Sequence, residues 1–142
     1  MNDRQHVVFT ALQIFAVGLV LWYIFTWKST PWNAQRDIGT ALVMIGAVGI
    51  ATARYQLGRS FSVTAQARHL VTRGLYSRIR NPIYVFGTIL ITGVILVLNM
   101  PVLWVGLAAL VCIQVIRARR EARVLEAAFG DEYREYRRKT WL

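Results

Sequence analysis

Four runs of this 142-residue chain contain no charged residue: 7–27, 38–53, 83–98 and 101–116. The first is 21 residues long and the other three are 16 each. A helix of about 20 residues spans a hydrocarbon layer of about 30 Å at roughly 1.5 Å per residue. A few flanking residues extend the shorter runs, and arginine or lysine at their ends can reach the headgroups while the stem stays in the apolar layer. Composition agrees, with 56% apolar and only 17% charged residues, against roughly 25% charged in soluble domains. The expected fold is all-α: one membrane domain over 1–142, with four transmembrane helices and a cytoplasmic C-terminal amphipathic helix. The 7–27 run is longer than the apolar core of a signal peptide, about 7–15 residues, and no small-x-small cleavage site clearly follows it. It is read as a retained helix.

The charge distribution orients these spans. Seventeen Lys and Arg face seven Asp and Glu, for a formal net charge of +10. Four spans put the N-terminus, the 54–82 loop and the 117–142 tail on one side. Fifteen of the seventeen basic residues fall there: Arg4, Arg54, Arg59, Arg68, Arg73, Arg78, Arg80 and the eight from Arg117 to Lys139. Only Lys28 and Arg36 fall on the other. Basic loops stay cytoplasmic, so both termini and any site between them are expected there, in a multi-pass protein of the plasma (inner) membrane if the source is prokaryotic. Trp27, Trp32 and Trp141 fall at the expected interfaces, where indole rings are favoured. A nucleic-acid binder would gather its arginines into one stripe; here they flank apolar spans, so membrane lipids and not nucleic acid are the expected partners. Gly39, Gly46, Gly49, Gly87, Gly93 and Gly106 lie in the spans and let helices approach closely, within a monomer or a homodimer.

The spans hold no acid, base or histidine, and an intramembrane charge would mark a proton-coupled carrier. Chemistry is therefore expected at the cytoplasmic helix ends. Cys112 is the lone cysteine, and His6 and His69 are the two histidines. That excludes an internal disulfide and a His/Cys zinc cluster, and no metal is expected. The 54–82 loop is long enough to suggest function. In the tail, Leu125, Phe129, Tyr133 and Tyr136 recur at helical spacing, an apolar stripe suited to a helix lying on the membrane, with Gly130 as a possible interruption.

Arg80-Asn81-Pro82-Ile83-Tyr84 stands at the mouth of the third span. Pro82 suits a first helical turn and Asn81 the cap before it. Asn99-Met100-Pro101 is a tight turn, so the third and fourth spans form an antiparallel hairpin that returns Glu121 to the level of Arg80 and Tyr84. The plain account of that meeting is an Arg–Glu surface pair. Upstream, Gly74 can take positive φ or permit close backbone approach, and His69 sits in the loop, where a lone histidine is usually incidental.

Taken in order, these residues resemble a known family. His69-Leu70-Val71-Thr72-Arg73-Gly74-Leu75-Tyr76, then Arg80-x-Pro82-x-Tyr84-x-x-Gly87, an apolar hairpin, and Glu121-x-x-x-Leu125-x-x-x-Phe129-Gly130-x-x-Tyr133-x-x-Tyr136 resemble the isoprenylcysteine carboxyl methyltransferases. Leu57-Gly58-Arg59-Ser60-Phe61-Ser62 resembles the segment before them, and the phospholipid N-methyltransferases share a similar arrangement. The resemblance covers about residues 57–141. It implies an integral membrane enzyme that holds S-adenosylmethionine at the cytoplasmic end of a helical bundle, about 57–84 with 117–142, and methylates an isoprenylcysteine-type carboxylate or a lipid amine. It implies a cofactor site of His69, Leu70, Val71, Gly74, Tyr76, Asn81, Pro82, Tyr84 and Glu121, with Arg80 and Glu121 as the catalytic pair. The chain departs from the family at two positions: Asn81 stands for the histidine of Arg-His-Pro, and Ala122 for the second glutamate of Glu-Glu. Two other readings stand beside this one, a non-enzymatic membrane relative and an NADPH-dependent protein like the sterol reductases.

Overall fold

The computed structural model describes residues 33–57 and 70–141, with single helical positions at Gly18, Trp22 and Thr26. Apart from those three positions, the 7–27 run lies outside the described residues, as does His69. Three helices make up most of what is described: α1 (Ala34–Leu57), α2 (Pro82–Leu98) and α3 (Leu103–Lys139), with a 3-10 turn at Gly74–Ser77 before α2. Among the described residues there is no strand, only a bridge between Ile79 and Trp141.

α1 begins at Asn33, whose side-chain oxygen accepts the Arg36 amide at 2.9 Å. Asp37 in the first turn and Arg54 in the last match the helix dipole. α2 begins with Pro82 at its first position and ends at Asn99, which takes the left-handed conformation (φ 51°) and donates its amide to Ile95 O at 2.9 Å. Four residues, 99–102, then turn the chain into α3.

α1 and α2 pack with their backbones nearly touching. A Cβ added to Gly39 would stand 2.8 Å from Gly93 O, and one added to Gly46 would stand 2.7 Å from Leu90 N. Only glycine fits where two helices approach this closely, the kind of packing that drives association where no hydrophobic effect operates between helices. Val43 and Val97 are buried in the same seam, with Val94 against them. At its far end Gln35 Nε2 donates to Leu96 O at 2.9 Å and to Asn99 Oδ1 at 3.0 Å.

The third and fourth expected spans do form an antiparallel hairpin, but the boundaries differ from the expected ones. The 38–53 run lies within a helix reaching from Ala34 to Leu57. By length and composition that helix is the one among the described residues able to cross a membrane, and Pro82–Leu98 is a shorter apolar helix. The 101–116 run is not separate from the tail: α3 continues unbroken through the change from apolar to charged sequence. Residues 117–129 contain no glycine or proline and are rich in Ala, Arg and Glu, so nothing local stops the helix. It breaks at Gly130 (φ 52°, ψ −120°), a conformation that residues with a Cβ rarely adopt. There the chain turns, and 131–139 runs back toward the 74–80 segment. Arg134 bridges the corner, with Nε 3.0 Å from Glu126 Oε1 and Nη1 3.0 Å from Asp131 Oδ1.

Candidate active site

The hairpin brings the start of α2 and the middle of α3 to one level. There Tyr84 Oη donates to Glu121 Oε1 at 2.5 Å. One turn further along α2, the Thr88 hydroxyl lies 2.9 Å from Tyr84 O and 3.0 Å from Gln114 Oε1. These two rungs join helices that otherwise touch sparingly. Arg117, one turn before Glu121, also acts on the Tyr84 hydroxyl.

The 70–80 segment closes a second side. Leu70 and Val71 enter as half-buried residues without helical structure. Gly74 has φ 63°, and a Cβ there would collide with the Gln56 side-chain amide. That approach lets Gln56 Oε1 accept the Leu75 amide at 2.7 Å, fixing the turn to the end of α1. Tyr76 is 7% exposed. Burial, with Tyr136 and the Glu121 carboxylate nearby, pushes its hydroxyl well above the usual tyrosine range, against the pull of Arg54. Tyr76 therefore faces the same cluster as Tyr84 and Glu121.

The folded-back end of the chain supplies the third side. Tyr136 Oη donates to Tyr76 O at 2.7 Å in a buried bond. Beyond it, Trp141 N donates to Arg78 O at 2.9 Å, and Arg80 N donates to Trp141 O at 3.4 Å. Burial first, and then Tyr133, push the Tyr136 hydroxyl up to about 12, while Arg80 opposes the shift.

Among the expected site residues, Tyr84, Glu121, Tyr76 and Gly74 are gathered around one level, with Asn81 and Pro82 directly beneath Tyr84 in the chain. Asn81 occupies the cap position, but its side chain makes no capping bond; its carbonyl accepts the amides of Tyr84 and Val85 at 3.1 and 3.2 Å. Pro82 is fully buried. Glu121 pairs with Tyr84, and no Arg80–Glu121 ion pair forms among the described residues. Arg80 instead lies toward Tyr136, and its Nε is buried without a hydrogen-bond partner among the described residues. Such a donor costs about 1–3 kcal/mol, which an anionic group reaching it would recover. Gln56, Gln114 and Arg117 were not singled out from the sequence. A polar residue alone in an apolar run was the available signal for Gln114.

The arrangement has a carboxylate braced by a phenol, three inward tyrosines and arginines beside them. It can receive a cation at Glu121 and the tyrosine faces, and an anion at Arg80.

No curated protein matches the chain. The family model described as phospholipid methyltransferase matches residues 34–132. That stretch includes α1, the turn, α2 and α3 as far as the corner, and with it Tyr84, Glu121 and Arg80. The chain belongs to the phospholipid methyltransferase family.

Proposed function

We propose that the protein is an S-adenosylmethionine-dependent integral membrane methyltransferase of a small lipophilic acceptor, either an isoprenylcysteine-type carboxylate or a lipid amine. The observation that carries this is the Tyr84–Glu121 pair, set among tyrosines at the basic end of the hairpin in a chain of methyltransferase family. S-adenosylmethionine carries a sulfonium, an amino group and a carboxylate. The donor set fits it: Glu121 suits the amino group or ribose, tyrosine faces suit the sulfonium, and an arginine suits the carboxylate.

When bound, the cofactor supplies a methyl group already activated for displacement. The residues of the chain then hold donor and acceptor in line, and proximity of this kind is worth several kcal/mol. Arg80 orients an acidic acceptor through its guanidinium. Tyr84 holds Glu121 in one rotamer. The buried tyrosines limit water at the reacting centre. A carboxylate acceptor needs no base, whereas an amine acceptor must lose a proton to a nearby carboxylate or to His69.

The surrounding protein is proposed as four spans, about 7–27, 38–53, 83–98 and 101–116, with termini and site on the cytoplasmic side. The exposed apolar side chains Ile38, Ile45 and Val48 of α1 and Trp104, Val105, Val111, Ile113 and Ile116 of α3 support this, because so wide an apolar surface suits lipid. The acceptor would enter from that lipid, and the protein would act as a monomer or homodimer.

Calorimetry with S-adenosylmethionine on detergent-purified protein tests the reading. Micromolar binding that disappears in Tyr84→Ala and Glu121→Ala is expected. A folded wild-type protein that binds neither the cofactor nor its demethylated product overturns it and favours the non-enzymatic relative, with Asn81 and Ala122 as the departures to examine.

A further inference from the structure

The corner at Gly130 directs the last eleven described residues, 131–141, back across the site. Their inward side chains are not simply an apolar stripe. Tyr133 and Tyr136 are 3% and 8% exposed, and Thr140 is 8% exposed. The returning segment attaches to the 76–80 backbone at three points: Tyr136 Oη to Tyr76 O, Trp141 N to Arg78 O, and Arg80 N to Trp141 O. Thr140 Oγ1 bonds to Tyr136 O at 2.9 Å, tying the first attachment to the other two. All three grip Arg80 itself or the residues just before it.

Among the described residues, no side-chain hydrogen bond holds the Arg80 Nε, and Glu121, the nearest candidate by sequence, is taken by Tyr84. A long side chain of this type loses substantial rotamer freedom when ordered, so its placement must come from the backbone beneath it and the wall beside it. The returning segment provides both, and the Tyr136 hydroxyl interacts with the Arg80 charge.

We propose that segment 131–141 is a strap that sets Arg80 for the acceptor, with Tyr136 as a positioning residue acting through Arg80. The inference rests on the methyltransferase reading for its effect on turnover, but the attachment itself can be read without any ligand. Tyr136→Phe removes one hydroxyl and keeps the ring, so the fold is retained; a chain ended after Thr140 removes the Trp141 pairing by another route.

Two measurements test it on the full protein in nanodiscs. The first is amide hydrogen exchange. In both variants, exchange across 76–80 should quicken about tenfold, the effect of losing roughly one hydrogen bond, while the α1–α2 seam keeps its protection. Wild-type exchange rates across 76–80 in both variants would overturn the strap. The second is a double-mutant cycle on methyl transfer to an acidic acceptor. Tyr136→Phe should raise the acceptor KM about tenfold with kcat and S-adenosylmethionine affinity within about twofold, and should add nothing further in an Arg80→Ala background. Additive effects of the two changes would overturn action through Arg80. A wild-type protein that binds no S-adenosylmethionine refutes the methyltransferase reading instead, and the exchange result still decides the strap.

Discussion

Tyr84 and Glu121, 37 positions apart in the chain, meet through a single 2.5 Å hydrogen bond at the open end of the α2–α3 hairpin. The bond requires the turn at 99–102, the length of α2 and the unbroken course of α3 past the end of its apolar run. It is the best single reporter of whether the site is assembled.

Replacing Glu121 with Gln keeps the size and an oxygen for Tyr84 but removes the charge. Charged hydrogen bonds are worth about 1.5–3 kcal/mol. S-adenosylmethionine affinity is expected to fall about tenfold or more, with thermal stability in detergent close to wild type. Calorimetry beside a melting curve separates the two effects.

Arg80→Lys retains a positive charge but not the planar fork that engages a carboxylate at two points. With an acidic acceptor, steady-state kinetics should show KM rising about tenfold and kcat barely changed, the signature of lost uniform binding. A substrate amine would be nearly indifferent to the exchange, so the same variant sorts the two acceptor classes.

Gly46→Val drives a branched side chain into Leu90, where even a Cβ would stand 2.7 Å from the backbone nitrogen. Overpacking of this type costs about 1–3 kcal/mol. The expected result is a lowered melting temperature in detergent, whether or not cofactor is present.

Gly74→Ala combines two penalties. The backbone is at φ 63°, which costs a residue with a Cβ roughly 1–2 kcal/mol, and the new methyl displaces Gln56 from the Leu75 amide. Amide exchange at Leu75 should rise sharply, and cofactor affinity should fall with it.

High pH should release the strap. Burial raises the Tyr136 hydroxyl from an ordinary value of 10.0 to about 12, so the folded state favours the neutral phenol. Its contribution to stability is fully present below about pH 10 and is lost as pH rises through about 12. The groups around it are Tyr76, Tyr133 and Arg80. Exchange across 76–80 should therefore be flat from pH 7 to 9, after correction for intrinsic chemistry. Phenolate absorbance should show a late-ionising fraction that Tyr136→Phe removes.

Much of the hairpin was legible from charge alone. Runs without charge marked α2 and the first half of α3, Asn99-Met100-Pro101 marked the turn, and helix arithmetic put Glu121 beside Tyr84. The length of α3 was not legible, because polarity reports which solvent a segment meets and not whether the backbone stays helical. Arg80 was expected near Glu121 because the hairpin returns both to one level, but the Tyr84 hydroxyl occupies that carboxylate. Tyr133 and Tyr136 read as a stripe for a membrane surface. Spacing fixes which residues share a face, and only the direction taken at Gly130 fixes what that face covers. Gln56 and Gln114 carry no charge, so a reading built on charges passes over them.

The strap also sets an order of events during synthesis. Arg80 leaves the ribosome about sixty residues before Trp141, and chains are made at about 5–20 residues per second. The α1–α2 seam can form in that interval, since the last residue it needs, Asn99, emerges about forty residues before Trp141. Arg80 cannot be secured until Trp141 has emerged to pair with it. A nascent chain that has not yet reached Trp141 would therefore be inserted and packed with Arg80 still unset, and acceptor binding would report on the arrival of the strap as well as on folding.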